Sequence, residues 1–427
     1  MPIVNDRYHV SSRTARRQFA VVFAGARDHY QVAIALAERG RLFALINELY
    51  FPSLPPWVRA AIGVLDRKNR RVARSSPELP AERVKTSCVA LMASLLRRAS
   101  ATSRFVQWQD RALGHACGKL AKQRELSVLA YSYYASYAFE QMPLELLRII
   151  FQVHPHPLAA VRILQDEIRL GQWARESLVA EHERYASSAG FERQCREAHQ
   201  AHFCLTPSTF AKGTLAEAGV PAERITVVPY GIDRAAFPPK SFSISRNQPL
   251  RLIFVGALVQ RKGLGYLLAA MHQLRREPIE LTLVGRGARD DALLAHFSGV
   301  PYRLIWNATQ GEVSSELSKA DVLVFPSLFD SFAHVILEGM AVGLPVITTT
   351  NTAGPDLLDE GRTGFIGPIR SVEFVTDKIR WFLENRDVIP AMGRSCQKEA
   401  ERRTWQRFRA EIGDAVEQFE RQWLKSK

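Results

Sequence analysis

The chain has 427 residues, 47% hydrophobic and 23% charged, a composition that excludes a disordered or fibrous protein and suits two domains of similar size. Its five cysteines, Cys88, Cys117, Cys195, Cys204 and Cys396, are odd in number and form no CxxC pair, which argues against a disulfide framework or a zinc site. Of the formal net charge of +14, about +12 falls in residues 1–120, so something anionic is expected to meet the N-terminal half.

The opening stretch, MPIVNDRYHVSSRTARRQ, lacks the apolar run of a signal peptide. No apolar run approaches the roughly 18 residues needed to cross a bilayer. A cytoplasmic protein is expected. A first strand is predicted over 19–23 and a helix over 31–39. Residues 51–125 are basic and amphipathic with no clear strand. The basic clusters are Arg13/Arg16/Arg17, residues 67–74 (RKNRRVAR) and Arg97/Arg98/Arg104. Between the last two, the apolar run 89–96 predicts a helix presenting Val89, Leu91, Leu95 and Leu96 beside Arg97 and Arg98. Such a helix suits the surface of an anionic membrane, making the expected site of the protein the cytoplasm with peripheral contact at the inner face. Nucleic acid is not expected as a partner, because no helix-turn-helix, zinc finger or aromatic stacking motif accompanies the charge.

Further apolar runs predict strands over 126–130, 149–153, 203–207 and 225–229. After the proline- and serine-rich stretch 236–250 (AFPPKSFSISRNQPL) they resume over 252–255, 281–284, 302–305, 322–325 and 345–348. Each run is short and apolar throughout, as in parallel strands covered on both faces. Helical patterns lie between them, for example 264–275, 335–342 and 372–384. Alternating strand and helix implies a doubly wound α/β sheet, made twice. The expected division is an N-terminal Rossmann-like domain over 1–237, a linker over 238–249 and a C-terminal Rossmann-like domain over 250–403. A last helix, 404–427, carries Trp405, Phe408, Ile412, Val416 and Trp423 on one face and is expected to pack back on the first domain.

The strongest chemical signal is residues 320–349, ADVLVFPSLFDSFAHVILEGMAVGLPVITT. A buried strand ends at Pro326-Ser327, a turn follows, and a helix starts near His334. In parallel sheets ligands bind outside the carboxyl ends of the strands, and N–H groups at a helix start favour an anion there. Asp330 in the turn and Glu338 in the helix can face one ligand, and carboxylates suit vicinal hydroxyls. In LRLIFVGALVQRKGLGYLLAA, residues 250–270, Arg261 and Lys262 lie between a strand expected to end at Gly256 and a helix near Gly263, where paired cations suit a diphosphate. Residues 284–287 (VGRG) repeat the pattern of strand then glycine.

In their order these motifs resemble the family-4 retaining glycosyltransferases of the GT-B fold. The resemblance runs through LTPSTFAKGTLAEAGVPAERITVVPYGIDRAAFPP, FVGALVQRKG, LTLVGRG, DSFAHVILE and EGRTGFI, and covers most of the chain from about Phe203. N-terminal to that it is limited to FAVVFAG and FQVHPHP. It implies two Rossmann-like domains facing a central cleft, and retaining transfer of a hexose or related sugar from a nucleotide-diphosphate sugar. The acceptor would be a glycan or lipid-linked molecule, as in bacterial-type cell-surface polysaccharide or glycolipid synthesis. Lys262 and Arg261 would bind the pyrophosphate, Glu338 the ribose, and Asp330 the transferred sugar. Backbone N–H groups of Phe332, Ala333, His334 and Val335 would help hold sugar and phosphate, and the base would sit near Asn307. His154 would project from the other side of the cleft, and Gly25, Gly256 and Gly285 would lie in loops beside the donor. Two positions depart from the family: Ala257 stands where an arginine is usual, and Asp330 where a glutamate is.

No Asp-X-Asp occurs, so neither a metal nor another cofactor is expected, and fixed positive charge would stabilise the departing diphosphate. A sugar-nucleotide epimerase of the same fold, or a non-catalytic nucleotide-sugar-binding relative, would share these features. A nicotinamide-dependent dehydrogenase is disfavoured, because no GxGxxG follows the first strand.

Overall fold

A computed structural model describes residues 17–54, 56, 74–99, 103–173, 175–186, 190–242 and 248–427. Arg13, Arg16, Arg67, Lys68, Arg70 and Arg71 lie outside the described residues, as do the side chains of Leu95, Arg97, Arg98 and Arg104.

The apolar runs form two parallel sheets. The first has seven strands: β1 Phe19–Val22, β2 Leu42–Asn47, β3 Val84–Thr86, β4 Ser127–Tyr131, β5 Arg148–Phe151, β6 Phe203–Thr206 and β7 Ile225–Val227. Their order is β3-β2-β1-β4-β5-β6-β7. The second has six: β8 Leu250–Leu258, β9 Ile279–Arg289, β10 Arg303–Trp306, β11 Val322–Phe325, β12 Val346–Thr349 and β13 Gly364–Gly367. Their order is β10-β9-β8-β11-β12-β13. β1, β4, β11 and β12 are buried along their whole length, because helices cover both faces of each sheet. Strand order reverses between β1 and β4 in one sheet and between β8 and β11 in the other. These switch points are where parallel sheets open a crevice, and the loops after β1, β8 and β11 border it.

Two strands run further than their sequence suggests. β8 and β9 continue past Gly256 and Val284 through a register shift, and Leu258 pairs with Arg289. Gly256 and Gly285 therefore lie inside strands rather than at their ends. The shift marks where the ladder lets the 260–263 loop leave the sheet.

The helix Trp405–Lys425 crosses to the first domain. Its buried face holds Phe408, Ile412, Val416, Phe419 and Trp423, and Phe419 stacks on Phe203 at 4.5 Å. Arg39 bonds Asp414 and Glu417 at 2.6 and 2.9 Å, and Arg41 bonds Glu420 at 2.6 Å. Two residues of the basic clusters are also used internally: Arg17 lies over Trp423 at 4.4 Å, and Arg74 bonds buried Glu48 at 2.5 Å.

The domains meet through the helices Pro157–Leu170 and Arg175–Ala186. Ile163, Leu164 and Leu178 join Tyr266, Leu328 and Phe329 in one apolar cluster. Beside it, buried Glu167 accepts from Gln260 Nε2 at 2.8 Å, Tyr266 Oη at 2.8 Å and Arg370 Nε at 2.9 Å, all from the second domain. A carboxylate held by three donors across an interface fixes the two domains in a closed arrangement.

Candidate functional site

The loop after β8 is fixed against the end of β11. Arg261 carbonyl accepts from Leu328 N at 2.9 Å and from Ser327 Oγ at 3.2 Å. Gly263 has φ +74°, and a Cβ there would stand 1.8 Å from the Pro326 carbonyl oxygen, so only glycine lets the loop approach this closely. This contact sets Lys262 beside Asp330, and the two form an ion pair. Burial opposes ionisation of Asp330, but Lys262 and Arg261 overcome it and hold the carboxyl below its ordinary range.

Asp330 Oδ1 also accepts the N–H groups of Phe332 at 3.2 Å and Ala333 at 3.0 Å. This local turn leads through Ala333, at φ +62°, into the helix His334–Val342. The first two N–H groups assigned in sequence to sugar and phosphate thus belong to Asp330 in this conformation. Arg261 is engaged as well. Its Nε bonds Glu181 of the first domain at 2.5 Å, and its guanidinium lies 5.2 Å from the Phe329 ring centroid. It serves the domain contact as much as the cleft.

Glu338 stands apart from this cluster. Its carboxylate has no hydrogen bond or ion pair among the described residues, and burial alone raises its pKa to about 7. It lines a cavity of about 240 Å³ with Leu337, His334, Gln310, Asp28 and Asp233. Trp405 and His334 supply aromatic faces, and His334 stacks on Tyr230 at 4.8 Å. Desolvation at the cavity wall lowers His334 to about 4. Asp28 accepts from Tyr131 Oη, and burial raises its carboxyl to about 7.

His154 faces this cluster from the first domain. Arg27 NH1 lies 3.4 Å from its Nε2, and Ser331 Oγ, next to Asp330, donates to the Val153 carbonyl at 2.7 Å. Burial, then Arg27, lowers His154 to about 3, so its ring is neutral. Arg27 stands two residues beyond Gly25 in the first-domain loop 24–27, which the sequence already set beside the donor. Its position in the first strand-to-helix turn was the available signal.

The remaining candidates do not line the cavity. Gly25 N–H is taken by Glu48 Oε1 and Oε2, at 3.0 and 2.9 Å. Asn307, at φ +59°, donates its N–H to Gly285 at 2.8 Å. Gly285 is enclosed by Trp306 and Leu258, which a Cβ would meet at 2.7 and 2.8 Å. Gln310 of the next helix, rather than Asn307, reaches the cavity. Among the described residues no group of His, Cys, Asp and Glu could hold a metal ion, and no helix is long and apolar enough to cross a membrane.

Residues 249–385 match the family model described as glycosyl transferases group 1. The chain is similar to the sulfoquinovosyl transferase SQD2 of Arabidopsis thaliana, 28% identical over 217 residues, covering 48% of this chain and 42% of that protein. It is also similar to the amylovoran biosynthesis glycosyltransferase AmsK of Erwinia amylovora, 29% identical over 166 residues, 35% of this chain and 40% of that one. The matches thus span about two fifths of these relatives' lengths. Among solved structures, sucrose-phosphate synthase from Thermosynechococcus elongatus superposes with a TM-score of 0.64 at 16% identity, over 96% of this chain and all of that one. Anabaena Alr3699/HepE in complex with UDP-glucose gives 0.57 at 14% identity, over 94% of this chain and all of that one.

Proposed function

From a glycosyl transferases group 1 domain at residues 249–385 within a chain that has the two-domain GT-B fold, we propose that this protein is a retaining glycosyltransferase using a nucleotide-diphosphate sugar. The observation that carries the proposal is Glu338: a desolvated carboxylate, unpartnered among the described residues, lining a cavity beside an aromatic wall. Two ribose hydroxyls would supply the hydrogen bonds it lacks. Lys262 then stands where charge develops as the sugar–phosphate bond breaks. Binding of the diphosphate shifts Lys262 from Asp330 toward the phosphate, and Asp330 becomes available to a sugar hydroxyl. The bond from the anomeric carbon to the phosphate oxygen breaks, the bond to the acceptor oxygen forms on the same face, and the acceptor's proton passes to the departing phosphate. No protein base is required, in keeping with a neutral His154. The clamp at Glu167 excludes water during transfer.

For the acceptor we propose a glycan or lipid-linked molecule presented at a membrane, in polysaccharide or glycolipid synthesis. The support is an apolar face on the helix Cys88–Ala99, where Val89 is 51%, Met92 55% and Leu96 38% exposed. Trp108, on the helix Ser103–Arg124, is 41% exposed. Val89 and Leu96 belong to the face expected from sequence, Met92 joins them while Leu91 is half-buried, and the face lies within the strongly basic part of the chain.

Titrating UDP and GDP, each with its 2′-deoxy analogue, tests the donor site. One ribonucleotide should bind, and its deoxy analogue should bind about tenfold or more weakly. Equal affinity of the pair refutes the role of Glu338. Turnover should survive excess chelator. Sedimentation with anionic vesicles should fall with salt, and failure to bind them at low salt refutes the membrane acceptor.

A further inference from the structure

We propose that Arg27 is the first domain's own ligand for the donor diphosphate, a cation delivered across the cleft when the domains close. The inference rests on reading the cleft as a nucleotide-sugar site. It gives a role to a residue of the first domain, in the loop that also carries Gly25.

Arg27 follows β1 at the switch point of the first sheet. The next three residues, Asp28, His29 and Tyr30, all have left-handed backbones, with φ of 43°, 52° and 66°. This unusual turn sets Asp28 and His29 on the wall of the Glu338 cavity. Arg27 NH1 instead reaches His154 Nε2, and Val153 is tied through Ser331 to the residue beside Asp330 and Lys262. Arg27 therefore stands between the cavity proposed for the ribose and the lysine proposed for the phosphate. A diphosphate joins those two points.

The charges around it support the same conclusion. Lys262 is paired with Asp330, and Arg261 with Glu181. Arg27 makes no salt bridge among the described residues. The adjacent Asp28 carboxyl accepts from Tyr131 Oη instead. The other groups facing Arg27 are Tyr131, Tyr133, Tyr134 and Tyr230, none of which carries charge at neutral pH. Asp28, whose carboxyl Arg27 pulls down, is the acidic group beside it, but the two form no ion pair among the described residues, so an arriving phosphate can bond the guanidinium directly. The planar fork of an arginine suits two phosphate oxygens at once. Ala257 leaves the second domain without a side-chain cation at the head of its loop, and Arg27 supplies one from the opposite side.

His154 is then a positioning residue. Arginine only donates, so Nε2 must accept and the ring proton sits on Nδ1. The neutral ring, packed 5.1 Å from Tyr133, orients the guanidinium without competing for the phosphate.

The test compares affinities for UDP and GDP with those for uridine and guanosine, by calorimetry, in wild type, Arg27→Gln and Arg27→Lys. Arg27→Gln should bind the diphosphate about tenfold or more weakly and leave nucleoside affinity unchanged. Arg27→Lys should recover part of the loss. Glutamine can still donate to His154 and occupy the tyrosine-lined space. If Arg27→Gln fails to fold, Arg27→Lys carries the test through a smaller loss confined to the diphosphate. Diphosphate affinity at the wild-type level in both variants overturns the inference, as does an equal loss for diphosphate and nucleoside. A wild type that binds no nucleotide at all removes the functional reading itself, and the inference with it.

Discussion

Replacing Glu338 by glutamine should stabilise the empty protein while weakening its response to nucleotide. The carboxyl stands at about 7 in the folded chain against an ordinary 4.5, and burial is the cause. Below pH 4.5 both folded and unfolded chains keep the proton, and the carboxyl costs nothing extra. As pH rises from 4.5 to 7 the unfolded chain ionises first, so stability falls through that window and stays reduced above it. Each pH unit of difference is worth about 1.4 kcal/mol, which sets an upper value of about 3.5 kcal/mol. Water in the cavity screens part of this, leaving about 1–2 kcal/mol. In a domain of this size that is roughly 2–8 °C in Tm. Thermal unfolding of wild type and Glu338→Gln at pH 5 and pH 8, with and without UDP or GDP, separates the terms. The variant should melt higher than wild type at pH 8, with a much smaller difference at pH 5, and should lose most of the nucleotide-induced rise. A variant no more stable at pH 8, or one that responds to nucleotide as wild type does, refutes the reasoning.

Lys262→Ala should lower kcat about 10²–10³-fold, because Lys262 acts on charge that develops in the transition state, and should also lower Tm, because it leaves the Asp330 carboxylate without its partner. Saturating-donor kinetics check this, and unchanged turnover contradicts it. Glu167→Ala removes the acceptor shared by Gln260, Tyr266 and Arg370, leaving Arg370 without its carboxylate. A loss of about 3 kcal/mol is expected, with a larger radius of gyration by small-angle scattering as the domains part. Gly263→Ala should cost more than about 2 kcal/mol in thermal or chemical unfolding, since its Cβ would collide with the Pro326 carbonyl.

Much of the fold was readable because buried parallel strands appear as uninterrupted apolar runs, and β1, β4, β11 and β12 are of that kind. β2, LFALIN, has the same character but sits close behind the first helix and reads as its continuation. β3 buries one residue of three and leaves no periodic signal. β13, GFIG, is bracketed by glycines that suggest a turn. The strand-end motifs put Lys262, Asp330 and Glu338 beyond the carboxyl ends of β8 and β11, where the structure has them, because sheet topology rather than side-chain detail fixes those positions. The domain contacts were hidden. Glu167 and Glu181 look like solvated helical charges, and their partners lie 80 to 203 residues away. The turn of Asp330 back onto Phe332 and Ala333 was readable in principle, since a short carboxylate readily bonds backbone N–H groups two and three residues on.

The central claim is that the cleft holds a nucleotide sugar on Lys262 and Glu338. The most direct measurement is thermal unfolding of the wild type and of the Lys262→Ala/Glu338→Ala double variant against a panel of UDP- and GDP-sugars. A ligand at 100 times its Kd adds about 2.7 kcal/mol to stability whatever the acceptor. At least one nucleotide sugar should raise the wild-type Tm and leave the double variant unmoved. A panel in which none stabilises the wild type, or one that stabilises both proteins equally, contradicts the account.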